Sequence, residues 1–274
     1  MVEDEPLAGT DRRRAVWEIG ILLALSLGRS GVYAVVALIV RLTAKMPLGD
    51  QTATLNPSLS PRPGLDLAYQ LLSIGFGLVP VLLATYFLAV RRGAQPARQA
   101  IGLSWRGWDI GWGAALACAV GIPGLLFFTA GRALGITVAV EASALGSHWW
   151  SIPVLVLAAF QNGALEEVIV VAYLFARTRN LGWNRRRTPS GLTAMDWRFV
   201  TFSAILRGSY HLYQGIGPFI GNAVMGVLFV WFYRSRWGRQ RVIPLVIAHT
   251  LLDTVAFIGY AVAPDSWLRA LGLA

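Results

Sequence analysis

Seven apolar runs divide the chain, at 16–42, 68–90, 109–131, 150–176, 197–214, 217–233 and 242–263. A helix needs about 20 residues to cross the ~30 Å hydrocarbon layer at 1.5 Å per residue. The fifth and sixth runs are the shortest. Gly215-Ile216-Gly217-Pro218 separates them, a turn signal that predicts a tight helical hairpin. The pattern predicts an all-α fold, a polytopic membrane helix bundle of about seven transmembrane helices. The connection 43–67 is polar and carries Pro47, Pro57, Pro61 and Pro63, which predicts an irregular loop.

Composition supports this reading. The chain of 274 residues is 55% hydrophobic and only 14% charged, against about 25% charged in soluble domains. That excludes an ordinary soluble domain. No internal repeat stands out, and the length suits one bundle. The single cysteine, Cys118, lies in an apolar run and excludes an intrachain disulfide or a Cys metal cluster. The first 14 residues mix acids and arginines and do not read as a cleavable signal.

The net charge of +10 comes almost wholly from arginine, Lys45 being the one lysine. Arg12, Arg13 and Arg14 precede the first run. Arg91, Arg92, Arg98 and Arg106 follow the second. Arg177, Arg179, Arg185, Arg186, Arg187 and Arg198 follow the fourth, and Arg234, Arg236, Arg239 and Arg241 follow the sixth. The alternate connections hold only Arg41, Lys45, Arg62, Arg132 and Arg269. This bias predicts the N-terminus inside and the C-terminus outside. The arginines then suit anionic lipid headgroups, and no nucleic acid partner is expected. Tryptophans at 105, 108, 112, 149, 150, 183 and 197 flank the runs as interfacial belts. His148, beside Trp149, reads as an interface residue. Glu18 reads as an interface residue too, and Arg29 as a paired or snorkelling one. The predicted organisation is a cytoplasmic tail at 1–15, membrane helices without a motif at 16–149, a membrane core at 150–263 and a C-terminal tail at 264–274.

Ionisable residues in the runs change the picture from architecture to chemistry. Glu166 and Glu167 lie mid-run, where each charge costs roughly 2.5–3.5 kcal/mol on insertion scales. Counting helix rise puts Glu166 and Arg207 at roughly 15 Å from the arginine-rich side and His249 at roughly 10 Å. His211 and Asp253 follow about one turn deeper. Three helices therefore carry ionisable groups in one band. Arg207 with His211, and His249 with Asp253, are i,i+4 pairs on one face. Asn162 and Tyr173 fall on the stripe of Glu166, while Glu167 points about 100° away.

These residue types point to hydrolysis. A carboxylate held away from bulk water can take a proton from a water molecule as that water attacks a carbonyl. Histidine or arginine can stabilise the oxyanion or protonate a leaving amine. Asp253 beside His249 would set its tautomer. The same residues leave a second route open: Glu166, His211 and His249 as zinc ligands with a position for water.

The pattern resembles the CAAX-protease and bacteriocin-processing (Abi, or CPBP) family of intramembrane proteases. Its EExxxR motif matches Glu166-Glu167-Val168-Ile169-Val170-Val171. Its FxxxH motif matches Arg207-Gly208-Ser209-Tyr210-His211, and its HxxxN/D motif matches His249-Thr250-Leu251-Leu252-Asp253. The motif arginine is Val171 here, and the motif phenylalanine is Arg207. The expectation is that Arg207 replaces the lost cation, holding Glu167 and leaving Glu166 free.

The resemblance implies an endopeptidase acting on a membrane-embedded or membrane-associated protein or peptide. It makes 150–263 a CAAX-protease-like catalytic core. Glu166 would activate water with help from Glu167, His211 and His249 would orient it and stabilise the oxyanion, and Asp253 would support His249. The family has been described both as metalloprotease and as metal-independent. A bacterial plasma membrane is the expected location, the arginine bias suggesting a GC-rich genome. Two rivals remain, a proton-coupled transporter and a non-catalytic scaffold derived from the proteases.

Overall fold

The computed structural model describes residues 7–91, 99, 101–184, 186 and 194–270. Arg92, Arg98, Arg185 and Arg187 of the charge argument lie outside the described residues. Helix makes up 73% of the described residues, so the helical reading holds. Among the described residues, five helices are long and apolar enough to cross a membrane, or six with one bent pair.

The bent pair replaces the first predicted run. Helices α1 (Gly9–Leu25) and α2 (Leu27–Leu42) meet at Ser26 with a bend of 51°. Ser26 leaves helical geometry, at φ −136° and ψ −122°, and its hydroxyl donates to the Leu22 carbonyl at 2.6 Å. A side chain that bonds back to i−4 bends a helix in this way. Glu18 on α1 is buried rather than interfacial. It pairs with Arg177 at 2.6 Å and with Arg14 at 3.1 Å. Arg29 rests 6.0 Å from the centre of the Tyr33 ring.

The connection 43–67 is more ordered than its composition suggested. Strand β1 (Thr52–Thr54) pairs in parallel with β2 (Ala139–Glu141), Thr52 opposite Ala139 and Thr54 opposite Glu141. This three-residue pairing, with isolated bridges at Pro57–Ala144 and Thr137–Gly215, departs from all-α among the described residues. It joins two connections far apart in sequence, so no local pattern announces it. The second run becomes α3 (Pro63–Gly77) and α4 (Val79–Arg91), with proline opening the first turn. The third is α5 (Trp108–Ala133).

The fourth run is α6 (Ser151–Glu166), a π-helical segment Glu167–Tyr173, and α7 (Leu174–Asn180). It is the most enclosed of the five crossing helices, and its π segment is entirely buried. The fifth run is shorter than predicted. Helix α8 (Trp197–Ser209) stops at Tyr210, and a single 3-10 turn, Leu212–Gln214, follows. Thirteen residues rise about 20 Å, short of a full crossing. Then come α9 (Ile216–Arg234), α10 (Ile243–Val262) and the short α11 (Asp265–Ala270).

The main core gathers around the π segment, with Phe199, Phe229 and Leu245 among its fully buried members. Helices α6 and α10 approach closely at Gly163, where a methyl group would meet Thr250 Oγ1 at 2.9 Å. That contact brings the end of α6, with its two glutamates, beside the first turns of α10.

Candidate active site

Four side chains from three helices meet at the junction of α6 and the π segment. Arg207, fully buried on α8, donates through Nη1 to Glu166 Oε2 at 3.0 Å and through Nη2 to Glu167 Oε2 at 2.9 Å. Its Nη1 also lies 2.8 Å from Glu167 Oε1. His249 on α10 places Nδ1 2.7 Å from that same Oε1. A carboxylate oxygen only accepts, so Nδ1 carries a proton and Nε2 is the nitrogen turned away from Glu167. A buried charge is costly unless paired, and here the two carboxylates and the guanidinium meet each other's need.

The two glutamates differ. Glu167 is fully buried with both oxygens engaged. Glu166 is slightly exposed, and its bonds fall on Oε2, from Arg207 and from the Tyr210 hydroxyl at 2.7 Å. Among the described residues no hydrogen bond reaches Glu166 Oε1. The expectation that Arg207 holds Glu167 and leaves Glu166 free is therefore corrected: the guanidinium is a fork with several donors, and it bridges both.

The other sequence-derived residues surround this cluster. His211 lies just past the end of α8, Nδ1 2.9 Å from the Arg207 carbonyl, a pure acceptor. Its Nε2 is thus the lone-pair nitrogen, and Glu166, Arg207 and His249 are its electrostatic neighbours. Asp253 is 3.8 Å from His249 Nε2, beyond hydrogen-bond length, and accepts instead from Asn162 Nδ2 at 3.0 Å. Tyr173 sits under the Arg177 guanidinium, 5.7 Å away. The i+7 count that put it on the Glu166 stripe assumed α winding, and residues 167–173 are π-wound. Such segments are frequent at functional sites. His148 stacks on Trp150 with ring centres 5.0 Å apart, away from the cluster.

Tyr210 was missed from the sequence, although it is i+3 from Arg207 and directly precedes His211. Its hydroxyl is a second donor to Glu166.

Glu166, Glu167 and His249 each offer a ligand atom within 4.8 Å of the others, the spacing a metal would need. Of the three residues considered for zinc, His211 is outside this set. A cation already fills the position: Arg207 lies 2.8–3.0 Å from these oxygens, and His249 turns its N–H toward them. As arranged, the residues do not fit an additional metal cation.

No curated protein and no solved structure matches the chain. A family model described as "Type II CAAX prenyl endopeptidase Rce1-like" matches residues 148–255, a segment that contains every member of the cluster. Over this segment the chain is similar to the CAAX-protease (CPBP) family.

Proposed function

We propose that the protein is an intramembrane endopeptidase that hydrolyses a peptide bond of a membrane-embedded or membrane-associated protein or peptide. The observation that carries this reading is the asymmetry of the two glutamates. One is locked by Arg207 and His249, and the other keeps an oxygen without a hydrogen bond. In this scheme Glu166 Oε1 takes a proton from water while the water oxygen attacks the scissile carbonyl. His211 Nε2 accepts the second water hydrogen and fixes its direction. Doubly protonated His249 donates from Nε2 to the oxyanion. Glu166 then returns the proton to the leaving amine, so one water is consumed and the C–N bond breaks. Glu167, Arg207, Tyr210 and Asp253 position these groups.

The proposed reaction is metal-independent, because a guanidinium supplies the positive charge. The proposed topology has seven passes with the N-terminus inside, α8 and the following 3-10 turn forming a short fifth pass. The catalytic core is 150–263, flanked by membrane helices at 16–149, in a bacterial plasma membrane. The substrate class is a membrane peptide. Prenylated C-terminal peptides are the first candidates, since the matched family is named for them.

The test is turnover of prenylated and unprenylated membrane peptides by detergent-purified protein, comparing wild type with Glu166→Gln. Glu166→Gln should bind peptide and fail to cleave. Undiminished cleavage by Glu166→Gln would overturn the assignment. No cleavage by wild type on any peptide would favour the scaffold reading, which the replacements at Val171 and Arg207 support.

A further inference from the structure

A second polar constellation lies apart from the carboxylate cluster, at the end of the bundle where α5 and α10 begin. A hollow of ≈ 280 Å³ is lined there by Gln99, Ser104, Arg106, Arg239, Gln240 and Arg241. It shares no residue with the cluster. Arg241 is eight residues before His249, a rise of roughly 12 Å.

The hollow is built, not a chance gathering of surface arginines. Arg241 is nine-tenths buried and held from behind by the Asp109 carboxylate. Its Nε is buried without a hydrogen-bond partner. Asp109 also accepts from the Arg106 backbone N–H at 2.8 Å, so one carboxylate organises both walls. Arg239 and Gln240 are consecutive left-handed residues, at φ 50° and 55°, a conformation side-chain-bearing residues adopt only when held. Their backbone N–H groups are held by the Ser235 carbonyl at 2.9 Å and the Tyr233 carbonyl at 2.7 Å, and Gly102 on the opposite wall, at φ 68°, approaches so closely that any Cβ would collide with the Gln240 carbonyl. Three arginines thus line the hollow with one carboxylate: the Arg241 guanidinium pairs with Asp109, while Arg239 Nε donates to the Arg236 carbonyl at 3.1 Å, and two helices begin beside it. Trp105, Trp108 and Trp237 are exposed around it, the residue type that marks the headgroup layer.

We propose that this hollow binds a phosphate group, either the headgroup phosphate of an anionic lipid or a soluble phosphate compound. Planar, always-charged guanidinium forks match phosphate oxygens in pairs. Arg241, fixed by Asp109, is pre-oriented for one such pair. Arg106 and Arg239 at the exposed rim complete the set. The proposal does not depend on the protease reading.

The test uses the full chain in phosphatidylcholine nanodiscs with and without phosphatidylglycerol. Native mass spectrometry counts retained lipid, and calorimetry at matched ionic strength measures binding of inorganic phosphate. Wild type should retain one phosphatidylglycerol per chain. Arg106→Gln/Arg239→Gln should weaken retention at least about tenfold, as losing two charge-assisted contacts implies. Arg12→Gln/Arg13→Gln, which removes the same charge from the exposed start of α1, should leave it unchanged. Inorganic phosphate that binds with the same variant dependence identifies a soluble compound as the ligand, and lipid retention alone identifies a headgroup. Equal loss in both double variants, or loss in neither, overturns the proposal. If the first double variant does not fold, Arg239→Gln alone, at the exposed rim, serves in the same comparison.

Discussion

Glu167 sets the orientation of His249: Oε1 on the π segment accepts from Nδ1 on α10 at 2.7 Å. The imidazole therefore presents Nε2 outward, toward Asp253. A carboxylate that orients a histidine and a carboxylate that meets water have different duties, and their variants should fail differently.

Glu166→Gln should lower kcat about 10²–10⁴-fold, the range for loss of a general base, with little change in peptide affinity or melting temperature. Glu167→Gln should lower activity and also destabilise the fold. It takes a charge from a fully buried network, and breaking such a pair costs about 3–5 kcal/mol. Paired kcat and thermal-unfolding measurements separate the two. Equal stability losses in both variants would contradict the division of roles.

Arg207→Phe restores the family's phenylalanine and strands two buried carboxylates, so the single variant should lose folded protein on size exclusion. Adding Val171→Arg should recover folding and some turnover. A double variant as unstable as the single one would mean that the π-wound turn carries position 171 away from the glutamates.

Tyr210→Phe removes one of the two donors to Glu166 Oε2. The lost bond to a charged group costs about 1.5–3 kcal/mol. The expected result is a modest fall in melting temperature together with reduced kcat at unchanged KM.

Chelator treatment should leave activity intact, because Arg207 fills the place a metal would take. Elemental analysis should find no stoichiometric zinc. Activity lost to chelation and restored by zinc would refute the metal-independent scheme.

Asp196 caps α8 outside the membrane-spanning segments. Bonds from the Arg198 guanidinium, and then from the Asn184 backbone N–H, bring its carboxyl down to about 2. A carboxyl lower in the folded state than in the unfolded one stabilises above the unfolded value. That contribution is lost as pH falls from about 4 through about 2. The melting-temperature gap between wild type and Asp196→Asn should be constant above about pH 5 and close as pH drops toward 2. A gap independent of pH would show that the charge at 196 contributes nothing to stability.

Much of this protein is written along one dimension. Hydropathy locates the crossing helices to within a few residues. Helix rise predicts a common depth for Glu166, Arg207 and His249, and their side chains do meet. Depth needs only a count of residues. Rotation about each helix axis and the distance between helices depend on packing, and they decide who bonds to whom. The π winding after Glu166 turned Tyr173 toward Arg177, and the side-chain bond at Ser26 bent the first run. The close approach at Gly163 delivered His249 to Glu167. That Arg207 bridges both glutamates, and that Tyr210 joins them, follows from three helices converging, a relation no single segment encodes.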